Sequence, residues 1–580
     1  MKKIISFVMV LFLAFALVAC GGGSKLTGIS IKVKTAQVQV GKTLQLEVAA
    51  QPAEAEVGTV TWSVNDPSKA TISQTGLLTA GQTEGFVKVT AKASGFEASK
   101  SIRITAEANA NYPDLGGYEI KIAQATIALG ETNPFLTEET KGQYGYYAGL
   151  DREARQEAWT AVEEDFNCTI SVVEYPANAA WGAARWNYIV EQARLDSPEY
   201  DFYTVPDAQI PTFSNANAIL DLTDWYYSYG NGLMHTINQT AGSYKGKLYS
   251  INTIDPSIYN ILAYNYDLWA EINAAFPEIE EPAKIFNDGQ WTYTKFAEYA
   301  AQVQTALNSL HPEEGYYAVS GWPTYYWVGM VDRSGTPVAD TTAKEVNILT
   351  DAATKAAETL QTIFAGGAMD SAFSVDQGVT SWNSKKSLFN TGDLWFIGAE
   401  THTRWPEDVN FGYVPFPAPD GIAPNGKAYA EQYYVGTTAE ACWVMAAGRD
   451  YSGYGEECTA ENVYYAIMEY WYRSKTIYEK SEIFEEEGQM RATAESKFGE
   501  SQESMKAFMA MCQNLKDGAF YDPMTSNSNT VCATSGSDLD IALRQFVLGT
   551  GAATWNDAVG AYQETLNKAI TDAFGWCSLY

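Results

Sequence analysis

Tyr118-Glu-Ile-Lys-Ile-Ala-Gln-Ala125 and Asp201-Phe-Tyr-Thr-Val-Pro-Asp207 are the two runs on which the fold turns. Both are short and rich in β-branched and aromatic residues, as strands of a covered sheet are. Between them the hydrophobic period lengthens. Residues 154–166 place Trp159, Val162 and Phe166 on one helix face, 169–174 form a second strand, and 188–195 place Ile189, Gln192 and Leu195 on another helix. This alternation predicts βαβ units and a largely parallel sheet.

Working outward, strands are expected at 316–321, 393–397 and 441–446, and helices at 296–307, 463–471 and 555–570. The last of these has Thr554 as N-cap and Asp557 three residues on. Residues 118–580 exceed what one hydrophobic core supports, so two lobes are expected. Upstream, residues 26–106 read as short alternating strands. Ile29, Ile31 and Val33 alternate with polar residues, as do Leu44, Leu46 and Val48, then Val60, Trp62 and Val64, then Val87 and Val89. Turn residues separate them, which suggests an all-β sandwich. Residues 107–117, small, polar and broken by Pro113, form the linker.

Residues 1–19 carry Lys2 and Lys3 before an apolar run too short for a membrane span, which needs about 20 residues. The run ends in Leu17-Val-Ala-Cys20-Gly21, which resembles a lipobox whose Cys20 is acylated, and 20–25 form a flexible tether. The expected location is therefore the extracytoplasmic face of a cell membrane, held by a lipid anchor. A formal charge of −32 argues against nucleic acid as a partner. The chain holds 37 Tyr, 24 Phe and 16 Trp, and Tyr and Trp suit surfaces that stack on sugar rings while offering one polar atom. Six cysteines remain besides Cys20: Cys168, Cys442, Cys458, Cys512, Cys532 and Cys577. None forms a CxxC pair or has a His at metal-ligand spacing, and disulfides and buried thiols both stay open. No metal or cofactor is expected.

Val57-Gly-Thr-Val-Thr-Trp-Ser-Val64, Ala70-Thr-Ile-Ser73, Gly76-Leu-Leu-Thr79 and Val87-Lys-Val-Thr-Ala91 resemble the bacterial Ig-like group 2 domain, acting as a spacer or an adhesin. Across 118–580 a second resemblance runs through weak phrases in a consistent order. Tyr244-Lys-Gly-Lys-Leu-Tyr249 resembles the "DGKLYG" turn, with Lys245 for Asp and Ser250 for the last Gly. Tyr264-Asn-Tyr-Asp267 resembles "YNKDL". Trp291-Thr292 resembles "PxTWDE", with Lys295 where Glu would complete a capping box. Leu388-Phe-Asn-Thr-Gly392-Asp-Leu-Trp395, Phe411-Gly-Tyr-Val-Pro-Phe-Pro417 and the helix pair at 549–566 continue the series. Together they are similar to family 1 extracellular solute-binding proteins, which deliver sugars to ABC importers.

That resemblance implies a periplasmic-binding-protein type two-lobe fold of class II behind the Ig-like sandwich. It implies a monomer that closes on a carbohydrate, expected to be an oligosaccharide, without turnover, and ABC permease subunits as partners. In such folds the ligand sits at the carboxyl ends of the strands. The candidate ligand-binding residues are then Gln124, Thr126, Trp181 and Asp207 in the first lobe. The second lobe would supply Trp322, Tyr325, Tyr326, Trp327, Glu400, Arg404 and Trp405, and Tyr433, Tyr434 and Gly436 precede the returning strand. Asp207 would accept hydrogen bonds from sugar hydroxyls. The alternatives are a surface-anchored glycoside hydrolase, which needs two carboxylates about 5 to 9.5 Å apart that no motif places, and a carbohydrate-binding adhesin. His235, His311 and His402 lie far apart in the sequence, in no HExxH or triad phrase.

Overall fold

The computed structural model describes residues 26–574 apart from 27, 34–36, 52–54, 84, 106–111, 138–148, 181, 255–257, 259, 374–379, 398–404, 407, 424–441, 482–487, 519–520 and 524–536. Two compact units divide at 110/111. In the first, a four-stranded sheet (Gln37–Gln39, Phe96–Thr105, Gly85–Ala93, Thr61–Val64) and a three-stranded one (Thr43–Gln45, Leu77–Ala80, Ala70–Ile72) bury Leu46, Trp62, Leu78, Val89 and Ile102. Gly76 turns at φ 80°; a Cβ there would lie 2.4 Å from the Leu46 carbonyl oxygen and 3.1 Å from the Trp62 ring.

Among the described residues, the second unit is built on two main sheets of five and four strands, beside two short two-stranded ribbons. In chain order its principal strands are β1 (Tyr118–Gln124), β2 (Cys168–Glu174), β3 (Phe202–Val205), β4 (Ser250–Ile251), β5 (Asn260–Asn265), β6 (Tyr317–Val319), β7 (Ser387–Asp393), β8 (Phe411–Val414) and β9 (Cys442–Met445). The first sheet runs β2-β1-β3-β9-β4, with β1 parallel to β2 and β3, and β9 antiparallel to β3 and β4. The second runs β6-β7-β5-β8, in which only β6 and β7 are parallel. The chain thus leaves the first sheet after β4, builds the second, and returns to insert β9 between β3 and β4. β3 is buried along its whole length, as a strand covered on both faces must be.

Helix α1 (Arg152–Asp165) covers the first sheet with Ala158, Trp159 and Val162, and packs on α4 (Ala460–Lys480). In the second lobe α2 (Tyr293–Leu310) begins on Thr292, whose hydroxyl accepts from the Lys295 N–H at 3.4 Å. The other second-lobe helices used below are α3 (Pro323–Asp332), α5 (Gln502–Gly518), α6 (Asp538–Val547) and α7 (Gln563–Phe574).

Three local expectations are corrected. The helix expected at 188–195 is Gly182–Gln192, and Leu195 lies beyond it, 54% exposed. The strand expected at 393–397 ends at Asp393, and Leu394–Phe396 is a 3-10 turn. The helix expected at 555–570 is interrupted: Thr554 caps Trp555–Val559, then Gly560–Tyr562 forms a 3-10 turn before α7, at a glycine that gains little from helical geometry.

Candidate ligand-binding site

Three candidates follow β1 and β3. Gln124, the last residue of β1, is buried and fully engaged. Its Nε2 donates to Thr132 Oγ1 (2.6 Å), and its Oε1 accepts from the Ala125 N–H (2.7 Å) and Thr204 Oγ1 (2.6 Å). It braces the loop from within. Thr126 opens a 3-10 turn and is half-buried.

Asp207 is different. It stands two residues past β3 and is 4% exposed. Its Oδ2 accepts from the Tyr521 hydroxyl at 2.7 Å, while its Oδ1, also buried, has no partner among the described residues. Burial pushes its carboxyl up to about 7, opposed by the Tyr521 hydroxyl and the nearby backbone amides of Ala208 and Asp207. Tyr521, which sequence reasoning missed, belongs to a segment held by the second lobe. It follows α5, and the next residue, Asp522, accepts from the backbone N–H groups of Val338 (2.6 Å) and Ala339 (3.2 Å). The Tyr521 ring packs on Phe574 at the end of α7, where the Ala573 carbonyl accepts from the Lys245 N–H of the first lobe. A carboxylate from one lobe and a hydroxyl from the other therefore meet behind β3.

Most second-lobe aromatics are engaged in the protein's own packing. Trp322, Tyr325, Tyr326 and Trp327 belong to the start of α3, because Pro323 at the first helical position begins a helix rather than a loop. Tyr326 donates to the Ser320 carbonyl (2.8 Å) and stacks on Phe296; Trp327 donates to the Ala353 carbonyl (2.9 Å) against Trp555. Both are fully buried core residues. Trp322 donates to Asp540 Oδ1 (2.8 Å), and the Arg544 guanidinium, itself paired with Asp540, covers its ring at 4.8 Å. Tyr325 alone stays half-buried. Trp405 is buried among Trp382, Phe396 and Phe411, against the Gly392 backbone, where a Cβ would sit 2.6 Å from its ring. Trp181, Glu400, Arg404, Tyr433, Tyr434, Gly436 and Cys20 lie outside the described residues.

Two polar residues missed from sequence lie where β7 outruns its parallel neighbour β6. Asn390 Nδ2 and Thr391 Oγ1 are buried without hydrogen-bond partners among the described residues. Gly321, at φ 106°, lets the backbone pass beside them, since a Cβ there would lie 2.5 Å from Asn390 Oδ1. The phrase Leu388–Gly392 marked the position, but its small polar residues gave no functional signal beside the more conspicuous aromatics.

A first sheet ordered β2-β1-β3-β9-β4, with an inserted antiparallel strand and crossings into a second sheet, defines a class II two-lobe fold of the periplasmic-binding-protein type. Residues 25–102 match the bacterial Ig-like domain (group 2), as the resemblance implied. Comparison with curated proteins finds no match. Among solved structures, the chain is similar to the GacH receptor of Streptomyces glaucescens, studied unliganded and with acarbose (13% identity, 79% of this chain and 99% of that one, TM-score 0.47). It is similar to the cyclic alpha-maltosyl-1,6-maltose binding protein of Arthrobacter globiformis (12%, 79% and 100%, TM-score 0.47). A third is a family 1 extracellular solute-binding protein from Bifidobacterium longum subsp. infantis (13%, 78% and 99%, TM-score 0.45).

Proposed function

We propose that this chain is a lipid-anchored, extracytoplasmic solute-binding protein that captures a carbohydrate between its lobes and passes it to an ABC importer, without changing it chemically. The observation that carries this reading is Asp207: a buried acceptor at the carboxyl end of a parallel strand, with one oxygen unpaired among the described residues and the other held by the opposite lobe. A polyol fits that demand, because a hydroxyl supplies the donor that Oδ1 lacks. Ligand touching both lobes stabilises the closed state and so shifts the population toward it. The Ig-like unit serves as a spacer between the anchor and the binding lobes.

Calorimetry against a panel of oligosaccharides, with product analysis of the same mixtures, tests this. Saturable binding of intact sugar supports capture and delivery. Cleaved product would replace it with a hydrolase, and silence across the panel would remove carbohydrate as the ligand class.

A further inference from the structure

Helices α1 and α4 run antiparallel: Trp159 packs on Tyr470 (5.5 Å between ring centroids) and Phe166 on Tyr465 (5.2 Å). The end of α1 and the beginning of α4 therefore meet, and a cysteine stands just outside each. Cys168 follows α1 and Cys458 precedes α4; both are buried thiols. Their chain neighbours are joined through one residue, for Asn167 Nδ2 donates to Asp114 Oδ1 (2.7 Å) and the Asp114 N–H donates to Glu457 Oε2 (2.9 Å). Cys168 pairs across the sheet with Tyr118, whose ring lies edge-on to Tyr454, four residues before Cys458.

We propose that Cys168 and Cys458 form a disulfide that staples the shared end of α1 and α4. Two S–H bonds are lost and one S–S bond forms. The oxidant, of the disulfide class, takes the two electrons and the two protons, loses its own S–S bond and leaves as two thiols. Burial pushes the Cys168 thiol up to about 12, with further contributions from the charges of Glu163 and Cys458. Burial also pushes Cys458 up to about 11. Such thiols are weak nucleophiles at neutral pH, so the bond forms while the chain is still opening and closing rather than in the finished fold. Cys442 and Cys512 are buried elsewhere, on β9 and within α5. The inference is independent of what the lobes bind.

The full chain is refolded in oxidised or reduced glutathione, quenched with an alkylating reagent in denaturant, and mapped by peptide mass. The expected result is a linked Cys168–Cys458 peptide pair after oxidation, with Cys442 and Cys512 alkylated in both samples. C168S should free Cys458 for alkylation, C458S should free Cys168, and C442S should leave the linked pair intact. Reductant should lower the melting temperature of the oxidised wild type by several degrees and leave C168S unmoved. Alkylation of both Cys168 and Cys458 in the oxidised wild type, or a link from either to a different cysteine, overturns the proposal; this wild-type map holds even if a variant fails to fold.

Discussion

The strand ends past β3 in the first lobe and past β6 in the second are treated in opposite ways. In the first, a carboxylate past β3 is buried with one oxygen that has no partner among the described residues. In the second, the aromatic run past β6 folds into α3, and its indoles and phenol are satisfied by Asp540, the Ala353 carbonyl and the Ser320 carbonyl. Aromatic residues in a chain this rich in them report burial. A polar atom left without a partner in a buried place reports something that burial alone does not explain.

The sharpest way to break this contrast is Trp327→Ala. Removing a fully buried indole should cost about 3–5 kcal/mol of stability in thermal or denaturant unfolding, with sugar affinity kept by whatever remains folded. Unchanged stability with lost affinity would return α3 to the ligand site. Asp207→Ala comes next: affinity should fall by about 2–3 kcal/mol, as expected when a buried polar contact is truncated, with little loss of melting temperature. Tyr521→Phe removes one hydrogen bond to Asp207 and should weaken the closed state by about 1 kcal/mol, seen as an expanded scattering profile without ligand.

Proton linkage gives a further handle. A carboxyl near 7 in the fold and about 3.9 when unfolded favours the folded state while protonated. That contribution is complete below pH ~4 and disappears as pH rises through 7. Unfolding free energy measured from pH 4 to 8 should therefore decline more in the wild type than in Asp207→Asn; parallel curves would show that Asp207 does not titrate there. The smallest effect belongs to Thr391→Val, which removes a buried hydroxyl that lacks a partner among the described residues and should shift stability by under about 1 kcal/mol. A clear fall in affinity would assign Thr391 to the ligand as well.

The strand framework was legible because its signals are local. Alternation in β1, the continuous apolar run of β3 and the Thr292 and Thr554 caps are each visible within a few residues. The placement of Asp207 just past β3 was legible for the same reason. Tyr521 was not, because it reaches Asp207 across 314 positions and its surroundings carry no periodic or motif signal. Trp322, Tyr326 and Trp327 were misplaced because aromatic clustering was weighed above Pro323, which starts a helix on which Tyr326 and Met330, four apart, face inward. Asn390 and Thr391 show the converse, since small polar residues inside a strand look ordinary until the fold leaves Asn390 Nδ2 and Thr391 Oγ1 buried without a partner among the described residues.

The insertion of β9 has a consequence for how the chain assembles. On a ribosome, the first lobe's sheet stays split between β3 and β4 until Cys442–Met445 has emerged, whereas every strand of the second sheet is already available by Val414. Long-range pairing of this kind is slow to form. The sheet begun first is therefore the one completed last, and a chain cut between Val414 and Cys442 would leave Phe202–Val205 an open, apolar edge prone to aggregation.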